Sequence, residues 1–348
     1  MRAIARYAYL NTRVSGMAAR LLFDRGVDDL IDKVDEHDGG ILQAAGLADW
    51  EPEHPADTGL SLEQRLIASL LADFVILVRA LSAAPRRFFI YWACRFELSN
   101  LKAIVRGKMT GEPAAQIRAQ LVDMGPYGRL PVDELLGTQD VAELFRRLEH
   151  TPFGAIAREA RRIYEERREL FAMDAAVDRR YYAGLSEQLQ SLDRGDRRQL
   201  DTLVGDIIDR TNLLWLLRYR FSYGLPAAQT YYLLIPAGDR LRAPLLQRLS
   251  RLETIEEVIA GLPQPFSRPL SGVTTAADAT LILERGGWRN AETILRSRSV
   301  SLARVLAYLV LREKLLRQLR AVIKGRRLGL APDLIRRATG LMAAFGPG

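Results

Sequence analysis

The stretch richest in chemical possibility is RFELSNLKAIVRGKMTG at 95–111, where Arg106, Gly107 and Lys108 make a compact basic turn. Such a turn can cradle a phosphate when glycines precede the lysine, a Ser or Thr follows it, and a helix opens behind it with free N–H groups facing the anion. Here no glycine-rich loop precedes, Met109 follows Lys108, and the basic residues close a helix instead of opening one. His37, His54 and His150 lie far apart, without the three- or four-residue spacing that sets two ligands on one helix face. Glu165 and Glu166 are adjacent and diverge around a helix. Asp206 and Asp209 share a face, but no further acid or histidine motif completes a metal centre. No Gly-x-Ser-x-Gly elbow occurs. A hydrolase built on separated acids such as Asp174 and Asp209 is therefore disfavoured, and no catalytic residue, cofactor site or metal site is assigned. Cys94, the only cysteine, reads as a small buried hydrophobe, and its solitude rules out an internal disulfide.

The elements that must carry these side chains read as helices. The chain has 348 residues, 48% hydrophobic and 26% charged, enough for a large core divided into two or three domains. Ser61 with Gln64 offers a helix start before Leu66, Ile67, Leu70, Leu71, Phe74 and Leu77. Asp140 with Glu143 offers another start. Thr151 and Pro152 open what reads as one long helix through Phe153, Ile156, Ala160, Ile163, Tyr164, Leu170, Phe171 and Val177. The charges between Arg158 and Arg180 alternate in sign and suit helix-surface pairs. Asp174 falls near the apolar seam, either exposed at its edge or tied to an arginine or backbone donor. EPEHPADTG at 51–59 reads as a connection and LPQPFSRPLSGVTTAADA at 262–279 as a loop. YYLLIP at 231–236 fits a short strand or a buried irregular segment without changing the all-α fold class. The opening MRAIARYAYLNTRVSG does not read as a secretory leader, and the most apolar stretches, 67–81 and 301–316, are interrupted or bounded by charges.

An internal repeat organises the chain. A shift of 218 positions lays LKAIVRGKMTGEPAAQIR over LRAVIKGRRLGLAPDLIR, matching Leu101, Ala103, Gly107, Gly111, Ile117 and Arg118 with Leu319, Ala321, Gly325, Gly329, Ile335 and Arg336. A weaker copy at a shift of 112 pairs Asn100, Leu101 and Arg106 with Asn212, Leu213 and Arg218, with Tyr219 in place of the first glycine. Three units of about 110 residues then fill the chain, taken as 1–125, 126–235 and 236–348. Within them Gly107 and Gly325 are expected to terminate helices, aided by last-turn cations, and Gly111 and Gly329 to finish the turns. Net charge is +8, and residues 304–327 hold eight basic residues against one acidic. That face favours an acidic partner or open solvent. With Tyr308 as its sole aromatic, it makes a poor base-stacking platform, which speaks against nucleic acid as a partner.

The residues Tyr7-Ala8-Tyr9-Leu10-Asn11-Thr12-Arg13, then Met17, Arg20, Leu21 and Leu22, then Phe96-Glu97-Leu98-Ser99-Asn100-Leu101-Lys102 with Arg106-Gly107-Lys108, form an ordered pattern. It continues through Asp174, Asp178, Arg179, Tyr181 and Tyr182, then Asn212, Ile235-Pro236-Ala237-Gly238 and Leu319-Arg320 to Gly325. The chain thereby resembles the C subunit of the archaeal and vacuolar-type rotary ATP synthase or ATPase, related to the d subunit of the eukaryotic vacuolar proton pump. The resemblance implies an all-helical, funnel-like assembly of three related domains that is not catalytic and binds no nucleotide directly. It implies a place on the cytoplasmic face of the membrane, between the membrane rotor ring and the D and F subunits of the central shaft. Arg106, Lys108, Arg218, Arg320, Lys324, Arg326 and Arg327 are then the expected interface cations. Gly107, Gly111, Asp174, Asn212, Gly325 and Gly329 are the expected turn and seam residues. Asp174 stands where the resembling proteins often carry glutamate, Tyr219 replaces a glycine, and Leu315 falls where the first copy has Glu97. The competing expectation is a soluble basic helical adaptor for an acidic protein or nucleic acid.

Overall fold

Apolar residues recurring three and four apart give long helices, and polar end-caps set where several of them begin. The computed structural model describes residues 2–32, 41–43, 62–81, 83–167, 170–297 and 299–341. Helix α1 spans Arg2–Ala18, α2 Asp24–Asp32, α3 Leu62–Arg79, α4 Ala83–Thr110, α5 Ala114–Ala119, α6 Val132–Leu136, α7 Val141–Leu148 and α8 Gly154–Arg167. Then come α9 Leu170–Gln190, α10 Arg194–Leu217, a π-helical turn Arg218–Ser222, α11 Ala227–Leu233, α12 Ala243–Leu249 and α13 Ile255–Ala260. Helices α14 Ala276–Arg296, α15 Leu302–Arg327 and α16 Pro332–Ala338 complete the order. The fold is all-α, with no strand among the described residues.

Capping explains several starts. The Asp140 side chain accepts from Glu143 N at 2.7 Å, and Glu143 returns the bond by accepting from Gln139 N at 2.8 Å. Thr275 caps α14 by accepting from Asp278 N at 3.1 Å, so the loop expected over 262–279 gives way to helix at Ala276. A cap three residues before an acid outweighs the proline-rich run that precedes it. The YYLLIP segment contains no strand: Tyr231–Leu233 end α11, and extended Leu234 follows. Gln64, read as part of a helix start, lies in the first turn of α3 and also donates to the carbonyls of Ala119 and Leu121 at 2.7 and 2.8 Å, tying α3 to the end of α5. Ser61, His37, His54 and the 51–59 connection lie outside the described residues.

The single helix expected through Phe153–Val177 is two helices, α8 and α9, packed against each other. Ile163 of α8 clusters with Ala172 and Ala176 of α9. Along one continuous helix Ile163 and Ala172 would stand about 13 Å apart. Interspersed charges decorate the exposed side as expected, with Arg162 pairing Glu159 and Glu166 at 3.1 and 2.9 Å.

One large apolar core runs from α1 to α15, including Leu10, Phe74, Trp92, Phe145, Leu203 and Leu306. A separate one holds Leu213, Leu217, Leu246, Val258, Phe266 and Leu283 around α12 and α13. Helix α15 is buried over most of its length, packed by α14, α3, α1, α10, α16 and α2. Its charges inside this packing are matched. Tyr308 donates to Asp73 at 2.6 Å and Arg312 lies 3.2 Å from the same carboxylate, which explains the acid inside the apolar stretch at 67–81. Lys314, 5% exposed, pairs with Asp24 at 2.7 Å and Glu292 at 3.4 Å.

Candidate partner interface

Three helix ends at corresponding places in the sequence carry the candidate residues, and they share several devices. In α4, Asn100 holds both backbone polar groups of one residue: its Oδ1 accepts from Val122 N at 2.8 Å and its Nδ2 donates to Val122 O at 2.7 Å. Asn212 does the same to Ile235, at 2.8 and 3.0 Å. Gln318, 218 positions after Asn100, donates to Thr339 O at 3.0 Å. In sequence only the two asparagines match, because the third copy uses the longer amide. One turn earlier, Glu97 accepts from Arg129 N and Leu130 N, the latter at 2.7 Å. Asp209, its counterpart at a shift of 112, accepts from Arg240 N and Leu241 N at 2.8 and 3.1 Å. Asp209 is thus a backbone cap, not half of a metal or hydrolytic pair, and Asp206 pairs with Arg210 at 2.8 Å. Among the described residues no group of His, Cys, Asp and Glu is assembled to hold a metal ion. Burial pushes the Glu97 and Asp209 carboxyls above their ordinary range, and the backbone N–H groups oppose that rise.

The glycines divide their work differently from expectation. Gly107 and Gly325 are helical and do not terminate anything. A Cβ on Gly107 would stand 2.5 Å from Ile117 Cγ1, and one on Gly325 2.7 Å from Ile335 Cγ1. They let the following short helix press its isoleucine onto bare backbone. Gly111 and Gly329 carry the left-handed conformation, at φ 71° and 63°, that ends α4 and α15. In both, the N–H after the glycine returns to the carbonyl of the earlier glycine: Glu112 to Gly107 at 2.8 Å and Leu330 to Gly325 at 2.9 Å. The middle copy departs. Gly224, at φ 66°, stands 113 rather than 112 positions after Gly111, and Leu225 N reaches back to Tyr219 O at 2.8 Å. The π-helical turn absorbs that one extra residue.

The last-turn cations split into two sets. Lys108 donates to the carbonyls of Leu136 and Thr138 at 3.0 and 2.6 Å, capping the end of α6. Arg220 donates to Leu225 O and Leu252 O at 3.0 and 3.1 Å, and Arg326 to the carbonyls of Leu30 and Ile31 at the end of α2. Lys108 and Arg326, expected on an interface, therefore direct these donors inward, and Arg220 belongs with them. Its sequence signal is the shift of 112 from Lys108. Arg106, Arg218 and Lys324, again in register, are all exposed. Arg106 lies 3.9 Å from Asp174, Arg218 donates to Tyr223 Oη at 2.8 Å, and Lys324 projects without a described partner. Arg327 is also exposed, and half-buried Arg320 pairs with Glu63.

Asp174 sits between the first and middle helix ends. One carboxylate oxygen is buried without a hydrogen bond. Burial raises its pKa, Lys102 and Arg106 lower it, and Asp178 raises it further. Lys102 itself pairs with Asp178 at 2.5 Å. Beside this group, Tyr219 packs with Ala175 and Leu233. Phe171 stands edge-on to Tyr219 and Tyr223 at 5.3 and 5.1 Å. Exposed cations and exposed aromatic rings therefore stand side by side here.

Residues 10–338 match the family model described as ATP synthase (C/AC39) subunit. The chain belongs to that family. Relatives named as the C subunit of A-type ATP synthase span nearly its whole length. The Thermococcus kodakarensis protein is 26% identical, covering 97% of this chain and 91% of its own. That of Methanocaldococcus jannaschii is 24% identical over 96% and 86%, and that of a Desulfurococcus species 24% identical over 97% and 91%. Within the ATP synthase (C/AC39) subunit family match fall all three amide anchors, both carboxylate caps and all three exposed cations. No described helix is long and apolar enough to cross a membrane.

Proposed function

We propose that this chain is the non-catalytic connector of a rotary ATP synthase or ATPase, seated on the membrane ion-translocating ring and receiving the central shaft made of the D and F subunits. It is held peripherally at the cytoplasmic face through those partners. The observation that carries the reading is the recurrence of one anchored helix end in a chain of this family. Each copy ties its helix to a later stretch of chain with an amide and its end with an inward lysine or arginine, leaving Arg106, Arg218 or Lys324 outside. A part that transmits torque needs stiff helices whose ends are tied to their surroundings and faces that meet two partners. It needs no reacting group. Three related units divided near residues 125 and 235, arranged as a funnel about the shaft, are the architecture this function requires.

The direct experiment is co-purification of the chain with separately prepared membrane ring and D–F shaft at near-native salt. Retention of both is the expected result. Failure to retain either removes the connector reading. Replacement of Arg106, Arg218 and Lys324 together by glutamine is expected to weaken retention of an acidic partner at least tenfold, with unchanged circular dichroism.

A further inference from the structure

The first and last helix ends share a helical glycine that the middle one lacks. In the middle copy a tyrosine replaces the glycine of the others, and the π-helical turn behind it adds one residue. The consequence is an aromatic cluster without counterpart at Gly107 or Gly325. Trp215 stacks on Tyr219 at 6.1 Å and Tyr219 on Tyr223 at 6.3 Å, while Phe171 meets both tyrosines edge-on. Its inner members are held by the fold, with Tyr219 only 5% exposed, whereas Tyr223 is 48% and Phe171 36% exposed. Arg218 lies over the Tyr223 ring at 5.7 Å and also donates to its hydroxyl. Arg106 flanks the group from the first copy, across Asp174.

Resting on the connector reading, we propose that the Phe171–Tyr223 cluster with Arg218 is the asymmetric seat that fixes the shaft in one of three rotational positions. The occupant is a shaft end presenting acidic side chains beside an apolar tip. A body with three similar cationic ends offers a single shaft three nearly equivalent orientations. Torque is transmitted without slip only if one of them is clearly preferred. Exposed aromatics backed by buried ones, with arginine at the edge, have the composition of an interface hot spot, since rigid rings lose little entropy on binding and arginine pairs with carboxylates. Charge selects the class of partner through Arg106, Arg218 and Lys324. The rings select the angle, because only the middle copy has them.

Thr110, Ser222 and Leu328 are exposed residues in register at the three ends and give a readout of that angle. Each is changed to cysteine in turn and cross-linked to a single cysteine at the end of the purified D–F shaft. Half-buried Cys94 is first changed to serine (Cys94→Ser) so that it cannot compete. One of the three positions is expected to dominate. Tyr223→Ala combined with Phe171→Ala should spread the cross-link over at least two positions and weaken shaft binding about tenfold. Lys324→Ala should weaken binding less than about threefold and leave the preferred position unchanged. A preference that survives loss of both rings, in a variant with unchanged circular dichroism, overturns this proposal alone. A wild-type chain that does not bind the shaft overturns it together with the connector reading.

Discussion

Gly107 and Gly325 carry no side chain where an isoleucine of the next helix reaches their backbone. Both lie beside cations near helix ends, which suggests a left-handed terminator, yet each is helical and is constrained by an isoleucine of the next helix. Gly107→Ala should cost about 1–3 kcal/mol, because a Cβ would overlap Ile117 within a packed seam. Adding Ile117→Ala should recover part of that loss, so urea unfolding of the double variant shows less destabilisation than the sum of the singles. Additive costs would mean the clash is relieved elsewhere. Asp174 makes the second residue-scale prediction. Its folded pKa is raised by burial, so the native chain holds that proton at pH values where the unfolded chain has released it. Its contribution to stability is fully present below the unfolded pKa and is lost as pH rises through the folded one. Asp174→Asn should therefore flatten the decline of stability above about pH 4 without destabilising the chain at neutral pH. A steeper decline in thermal unfolding against pH would show that Lys102 and Arg106 outweigh burial at that carboxyl.

At the scale of elements, stability of each helix end rests on an amide that satisfies a peptide far along the chain. Asn212 is fully buried, and Asn212→Ala strands both the N–H and the C=O of Ile235. The expected cost is about 2–4 kcal/mol, with faster amide exchange across α11 as the local signature. Slow exchange there would mean that another group takes over the Ile235 peptide. Helical character, the repeat and the matching of Asn100 with Asn212 were legible in the sequence, because periodicity and register are properties of residue order. The α8–α9 reversal was not legible, since charges and apolar positions keep a helical period through Phe153–Val177 and only packing of Ile163 on Ala172 marks the turn back. Nor were the destinations of Lys108 and Arg326. A cation near a helix end looks the same whether it points to solvent or to carbonyls of another helix, and α2 lies almost 300 residues from Arg326. Asp209 likewise needed its partners, two backbone N–H groups some 30 residues on, before its carboxylate could be told from a ligand.

Over the whole molecule, the chain's beginning completes its end. The Arg118 guanidinium pairs with Asp133 at the start of α6, and its counterpart Arg336 pairs with Asp28 and Asp32 of α2 at 2.7 and 2.5 Å. Lys108 caps α6, and its counterpart Arg326 caps α2. Helix α2 thus does for the last copy what α6 does for the first, while α1 and α3 pack along α15 and join it to the main core. Without α2, the end of α15 and α16 would lose these caps and stand half-covered. Removing residues 1–32 takes away the Leu10, Val14, Val27, Leu30 and Ile31 side chains, each worth about 1.5–3 kcal/mol when fully buried. It also leaves the nearly buried Lys314 without Asp24. Hydrogen exchange in the truncated chain should accelerate by orders of magnitude across α15 and α16. Exchange in α12 and α13 should stay close to wild type, since those helices pack in the separate core. Equal acceleration in both regions would mean that the two cores unfold as one unit. Unchanged exchange in α15 would mean that α3, α10 and α14 hold it without the first 32 residues.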